Sequence, residues 1–349
     1  MRVGLVLGAG GVTGLAYHSA ALSTLETTLG WDPQSAEVVT GTSAGSVVGA
    51  LLRRGVTAAD LLAIAEGSEP TAGSVAFATA LRDRPAFPPL RLLSLIGGPP
   101  RLPSPALVGA WVRRPWRVDP VTAIASVIPD GTLDLLEHTS ALDELLGAPW
   151  PEDDLWICAV RQSDLHRVVL GRDTIGPLST AVAASCAIPG YFRPVTIGPV
   201  AYLDGGVRSP TNADVLRRTA LDLVIIISPM SGRDLGRLGA SNVVRRHARA
   251  KLAGERRRLL AAGMPSVVIE PGPEVVDVIG PDFMSDAHAA DIAAAAMHDT
   301  ALQLKEPLAR KLLKALGDGP RGRSQATAAR RHRRHDSDSG PRAGWRPAI

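Results

Sequence analysis

Residues 38–52 read "VVTGTSAGSVVGALL", with a serine between two glycines and apolar residues on both sides. The pattern G-x-S-x-G, here Gly41-Thr42-Ser43-Ala44-Gly45, arises by chance in many proteins, so its flanks decide the reading. Glu37 to Thr40 reads as a short strand, and Ala44 to Arg53 as a helix of small and apolar residues. A nucleophile on a tight strand-to-helix turn needs small neighbours two residues away on either side, and Gly41 and Gly45 supply them. Such a turn aims the Ser43 hydroxyl out of the sheet at a helix N-terminus, where developing negative charge is favoured. The competing reading is a flexible glycine loop.

The surrounding chain favours the turn. Arg2 to Leu7 is an apolar run that ends in glycines, a buried strand, and a helical pattern follows from Gly14. A further helix covers Ala58 to Glu66, with Thr57 as its N-cap. "LWICAV" (155–160) and "HRVVL" (166–170) read as a pair of strands, and Ser179 to Ala187 as a helix. A strand ends in "AYLDGG", and "LDLVIIIS" has the unbroken apolar character of a central parallel strand. Arg245 to Ala262 reads as a basic amphipathic helix, "SVVIE" as a last strand, and Ala287 to Leu316 as a long helix interrupted near Pro307. Alternating strands and helices predict an α/β protein with a mainly parallel central sheet and helices on both faces.

Two more motifs join the serine. "LGAGGVTG" (7–14) is a glycine loop between a strand and a helix. A dinucleotide fold would need an acidic residue at the end of the second strand, which instead ends "VVTG". No Gly-Lys-Ser/Thr follows, which excludes a P-loop. What remains is a set of backbone N–H groups suited to a negative charge, an oxyanion if Ser43 is near. In "AYLDGGVRSPTNAD" (201–214), Asp204 ends a strand ahead of Gly205 and Gly206; alone, this is an ordinary Asp-Gly turn. Taken together, the three loops are expected at the C-terminal ends of parallel strands, bringing donors, a hydroxyl and a carboxylate to one place.

With these residues in view, the chain resembles the patatin-like phospholipase family, lipid acyl hydrolases with a Ser-Asp dyad in place of a triad. The resemblance covers most of residues 1–230: the glycine loop Ala9 to Gly14, the elbow Gly41 to Gly45, the segment "ASCAIPGYFRPV" (184–195), and Asp204-Gly205-Gly206. It implies a three-layer fold in which Ser43 attacks an ester carbonyl, Asp204 accepts the proton, and the Gly10 and Gly11 N–H groups hold the oxyanion. No cofactor or metal is implied. Ala9 stands where the family usually has a third glycine, and Thr13 where it has a basic residue, which removes a fixed positive charge. A conventional α/β-hydrolase triad is the enzymatic rival, with His18, His138, His166, His247, His288 and His298 as its histidine candidates. The non-enzymatic rival is a catalytically weak or inactive module that binds lipid or protein.

Composition sets the remaining bounds. The 349 residues are 45% hydrophobic but 4% aromatic, so the core must be built mainly from Ala, Val, Leu and Ile. Cys158 and Cys186 have neither metal-ligand nor disulfide-framework spacing. The N-terminus has no signal-peptide pattern, and no apolar stretch is long enough for a membrane span, so a cytoplasmic protein is expected. The net charge of +4 is uneven: eight Arg and three Asp from Gly317 onward leave residues 1–316 slightly acidic. We therefore expect one acyl-hydrolase domain over residues 1–316 and a basic disordered tail over 317–349, without specific nucleic-acid binding. In an insertion at about residues 70–130, ten of the 28 prolines lie between Pro85 and Pro129, and from Arg82 to Arg117 seven Arg lie among Trp111, Trp116 and leucines. It reads as a lid for the acyl chain that also meets an anionic membrane surface peripherally, or else as a solvated loop packed on the body.

Overall fold

The computed structural model describes residues 1–88, 101–113, 119–235 and 240–317. Its strands are β1 (Val3–Leu7), β2 (Val38–Thr42), β3 (Asp154–Arg161), β4 (Arg167–Leu170), β5 (Val195–Ile197), β6 (Val200–Asp204), β7 (Leu223–Ile227) and β8 (Ser266–Ile269). Its helices are α1 (Gly11–Leu29), α2 (Ala44–Arg53), α3 (Ala58–Glu66), α4 (Val75–Arg82), α5 (Pro105–Arg113), α6 (Pro120–Val127), α7 (Leu135–His138) and α8 (Ser140–Leu146), then α9 (Leu178–Cys186), α10 (Ala240–Ala261), α11 (Pro273–Ile279), α12 (Ala289–Leu304) and α13 (Pro307–Gly317). The predicted elements around Ser43 agree closely, and α3 starts at Thr57 with the expected cap.

β8, β7, β1, β2 and β3 run parallel, in that order. Successive side chains of a strand point to opposite faces, and the core divides accordingly. Leu5, Leu7, Val39, Ile157 and Ile225 join the larger cluster under α1, α2, α9 and α12. Val6, Val38, Cys158, Val224 and Ile226 face the other way, onto Leu216 and onto Leu252 and Leu259 of α10. This is a three-layer α/β arrangement. α1 is buried almost all round because Ala16, Ala20 and Ala21 let α3 and α12 approach closely, so few aromatics are needed.

One expectation is corrected. The strand carrying Asp204 is not parallel: β6 pairs antiparallel with β3, and β5 pairs antiparallel with β6. The registers show why this still serves the site. β2 lies along the first half of β3, ending with Thr42 opposite Cys158. β4 occupies the other edge, opposite Ile157 to Val160. β6 therefore lies on the same edge as β2, ending with Asp204 opposite Ala159. Two strands running in opposite directions thus meet end to end beside Cys158 and Ala159.

The proline-rich insertion forms short helices where it is described. Pro105 and Pro120 open α5 and α6, where the missing N–H costs nothing. Leu107 and Ala125 pack on Val160, Leu203 and Val207, beside β6. The "LRLLSLIGG" stretch, Trp116 and the tail after 317 lie outside the described residues.

Ahead of the proline-rich stretch, the chain from Thr57 to Ser74 is tied around Asp60. Its carboxylate accepts from the Thr71 N–H (2.7 Å) and the Ser74 hydroxyl (2.8 Å), and caps α3 with Thr57. Burial raises its pKa, but these donors outweigh burial and hold the group at about 2. The folded value lies below the ordinary 3.8, so the stabilisation is full above pH ~4 and is lost as pH falls through 2. Asp60→Asn should cost about 2 kcal/mol at pH 7. In urea titrations the difference from wild type should shrink steadily as pH drops from 4 towards 2.

Candidate active site

Ser43 sits between β2 and α2 at φ 53°, ψ −124°, a conformation that costs a residue with a side chain about 1–3 kcal/mol. The neighbouring glycines make room for it. A Cβ on Gly45 would lie 2.0 Å from the Leu7 carbonyl oxygen, and one on Gly41 would lie 2.5 Å from the Ser46 Cα. The turn is then held by hydrogen bonds: the Ser43 N–H donates to the Ser185 Oγ (2.9 Å), which donates to the Cys158 carbonyl (2.7 Å). The Ser46 hydroxyl donates to the Ser43 carbonyl (2.7 Å).

Asp204 is buried at the end of β6. Burial pushes its pKa up to about 6, while the Gly206 N–H (2.6 Å from Oδ1) and a hydrogen bond with the Ser43 hydroxyl pull it back. Gly205 is required by crowding, since a Cβ there would be 2.2 Å from the Cys158 carbonyl oxygen. The structure thus brings Ser43 and Asp204 together across the β2–β6 junction.

The glycine loop lies beside them. Gly8, Ala9 and Thr13 direct their N–H groups to the carbonyls of Ile227, Pro210 and Phe283. The N–H groups of Gly10 and Gly11, at the start of α1, bond to no carbonyl among the described residues. Gly11, at φ +61°, lines the same cleft as Ser43, and a Cβ on it would lie 2.3 Å from the Phe283 carbonyl oxygen. Ala9 does not have a positive φ, so the loop accepts it in place of glycine. Thr13 is buried and its hydroxyl donates to the Gly10 carbonyl (3.1 Å), so the residue that replaces a basic one pins the loop.

Several supporting residues were not anticipated from the sequence. Asn212, at φ 51° and fully buried, donates from its amide to Thr42 Oγ1 (3.2 Å) and the Gly205 carbonyl (3.2 Å). One side chain therefore joins the residue before Ser43 to the residue after Asp204. The Cys186 thiol lies within reach of the Ser43 and Ser46 hydroxyls, and burial pushes its pKa up to about 12. Arg245, read from the sequence only as the first residue of a basic amphipathic helix, is wholly buried. Its Nη1 donates to the Pro229 and Ser231 carbonyls, and Pro229 packs against Gly10. Ser185 and Asn212 lie within motif stretches already singled out; Arg245 had no local signal.

His18 is buried and bonds through Nε2 to the Gly8 carbonyl (2.7 Å), and burial lowers its pKa to about 4. His247 approaches Asp119, and His288 approaches Asp291. These contacts place the three rings on partners other than Ser43 and Asp204. Among the described residues no cluster suits a metal ion, and no helix is long and apolar enough to cross a membrane.

Beside Ser43 lies an apolar cleft of about 80 Å³, lined by Leu15, Val47, Leu81, Phe87, Leu142, Val182 and Met284. Arg84 closes one side, paired with Asp286 (3.1 Å) and stacked over Phe87. Asp143 also faces the cleft; burial raises its pKa to about 6, and Thr139 lowers it.

Because crowding at Gly45 is against rigid backbone, Gly45→Ala should destabilise the fold by about 3 kcal/mol or more. Gly73→Ala, which meets nothing within 4 Å, should change stability by about 0.5 kcal/mol at most. Paired denaturant titrations would check both.

No curated protein sequence matches the chain. Among solved structures, VipD from Legionella pneumophila aligns over 90% of this chain and 67% of its own, with 14% identity and a TM-score of 0.41. ExoU in its complex with SpcU from Pseudomonas aeruginosa aligns over 96% of this chain and 60% of its own, with 18% identity and a TM-score of 0.34. The present chain thus spans about 60–67% of the length of these two neighbours. The model of one family, described as patatin-like phospholipase, matches residues 5–217, which include all three motifs. On that match, this chain belongs to the patatin-like phospholipase family, a family of lipid hydrolases.

Proposed function

We propose that this protein hydrolyses lipid carboxylic esters through a dyad of Ser43 and Asp204. The observation that carries the reading is the strained elbow that sets Ser43 beside the end of β6, where Asp204 is buried; that burial raises the carboxyl pKa to about 6. A carboxylate with its ordinary pKa is a poor base for a serine; raising it narrows the gap.

In this scheme Ser43 Oγ attacks the ester carbonyl carbon while its proton passes to Asp204. The Gly10 and Gly11 N–H groups receive the oxyanion of the tetrahedral intermediate. Collapse breaks the ester C–O bond, and the departing alcohol takes the proton from Asp204. Asp204 then accepts a proton from water, whose oxygen attacks the acyl-enzyme. A second collapse releases the acid and returns the proton to Ser43. The cleft beside Ser43 suits the acyl chain; its present volume equals that of a few water molecules, so a long chain requires the Arg84–Phe87 side to move apart.

A fluorophosphonate probe should label wild type and not Ser43→Ala. Asp204→Asn should lower ester hydrolysis by about 10²–10⁴-fold while remaining folded. Because the base must be deprotonated, wild-type activity should rise with pH through about 6. Absence of labelling in folded wild-type protein would favour the alternative, a patatin-fold module that binds lipid or protein without catalysis.

The same reading extends to the lipid surface. Around α5 and α6, Leu102 is 92% exposed, Val112 76% and Ile124 58%, close in sequence to Arg101 and Arg113. Exposed apolar side chains among basic ones suit peripheral contact with an anionic bilayer. In sedimentation assays, binding to vesicles containing phosphatidylglycerol should exceed binding to phosphatidylcholine alone. Leu102→Asp with Val112→Asp should abolish that preference; equal binding to both vesicles would refute the contact.

A further inference from the structure

A second recess, distinct from the Ser43 cleft, lies between α10 and residues 207–214, with a volume of about 300 Å³. Five permanent cations line it: Arg167, Arg208, Lys251, Arg257 and Arg258. Two carboxylates line it, Asp214 and Glu255, and a third, Asp119, pairs with Lys251 from the side.

The negative groups are already engaged. Asp214 is shared by Arg167 (2.6 Å), Arg258 (3.4 Å) and Arg217 (3.8 Å). Glu255 is buried and accepts from the Thr211 hydroxyl (2.6 Å) and the Ala213 N–H (2.9 Å). His247, also on the wall, approaches Asp119. Arg208 and Arg257 are exposed to the recess, and neither has a carboxylate within 4 Å among the described residues. Between them α10 presents Gly254, so no side chain fills the wall there; the Arg257 Nη2 lies 3.8 Å from where a Cβ would be.

We propose that this recess binds a phosphate monoester, with Arg208 and Arg257 as its principal ligands. Two guanidinium groups supply the planar forks that fit phosphate oxygens, and a dianion balances the charge excess in a way that a monovalent group does not. The volume matches the lower range of small-ligand sites. The binding does not depend on the chemistry proposed for Ser43. It does lie close behind that site: Arg167 donates to the Asn212 Oδ1 (3.1 Å), and the Arg208 N–H donates to the Gly205 carbonyl (3.1 Å).

The phosphate could belong to a soluble metabolite or to a lipid headgroup, and two arms separate these. In the first, glycerol 3-phosphate is titrated into the full-length protein by calorimetry at fixed ionic strength, with glycerol as the control. In the second, sedimentation compares vesicles containing phosphatidic acid with vesicles of equal charge containing phosphatidylglycerol, which lacks the monoester. Saturable binding in the first arm, or a phosphatidic acid preference in the second, is expected. Arg208→Ala with Arg257→Ala should weaken it by about tenfold or more, with an unchanged unfolding midpoint. No binding in either arm, or equal binding by the double variant, would overturn the assignment.

Discussion

The conformation of Ser43 constrains most of what surrounds it. At φ 53°, ψ −124° the residue turns the chain sharply from β2 into α2. The turn can be this tight only because α2 presses against the end of β1, with Gly45 nearly touching the Leu7 carbonyl. The strain, about 1–3 kcal/mol, is small beside the burial of the flanking strands, where each core side chain contributes about 1.5–3 kcal/mol. Val39, Leu5, Ile157 and Val48 are all fully or almost fully buried around the elbow. The core therefore holds a conformation that an isolated loop would relax.

Hydrogen bonds then convert a strained turn into an oriented one. Ser185 and Ser46 take up the Ser43 N–H and carbonyl, leaving the hydroxyl to face Asp204. Asn212 ties the two incoming strands together from behind. On the other side, Arg245 grips the loop whose Pro229 supports Gly10. A buried guanidinium is costly unless its donors are used; here Nη1 is paired while Nε and Nη2 are buried without a hydrogen-bond partner among the described residues, and burial lowers the pKa to about 10. Its position in the core behind the glycine loop is consistent with fixing that loop in place.

How far the sequence could be read depended on the range of each interaction. Helix α3 and its Thr57 cap, and the strand–turn–helix around Ser43, follow from neighbours within a few residues. Ala9 and Thr13 departed from the family pattern, and their consequences needed coordinates: Ala9 keeps an ordinary backbone, and Thr13 donates a hydrogen bond where a basic residue would bring charge. Arg245 was legible only as one more basic residue of a polar helix, because its partners are the Pro229 and Ser231 carbonyls of a separate loop.

By itself the sequence determined the elements, the small residues at the turn and the three motifs, because apolar periodicity and glycine requirements are local. Tertiary structure decided how the motifs meet. The expectation that Asp204 ends a parallel strand missed the reversal of β6, whose pairing with β3 links residues more than forty positions apart. That reversal sets Asp204 against the end of β2, and the surrounding core desolvates it. The raised pKa follows from this enclosure, since an Asp-Gly-Gly turn exposed to water would keep an ordinary carboxylate.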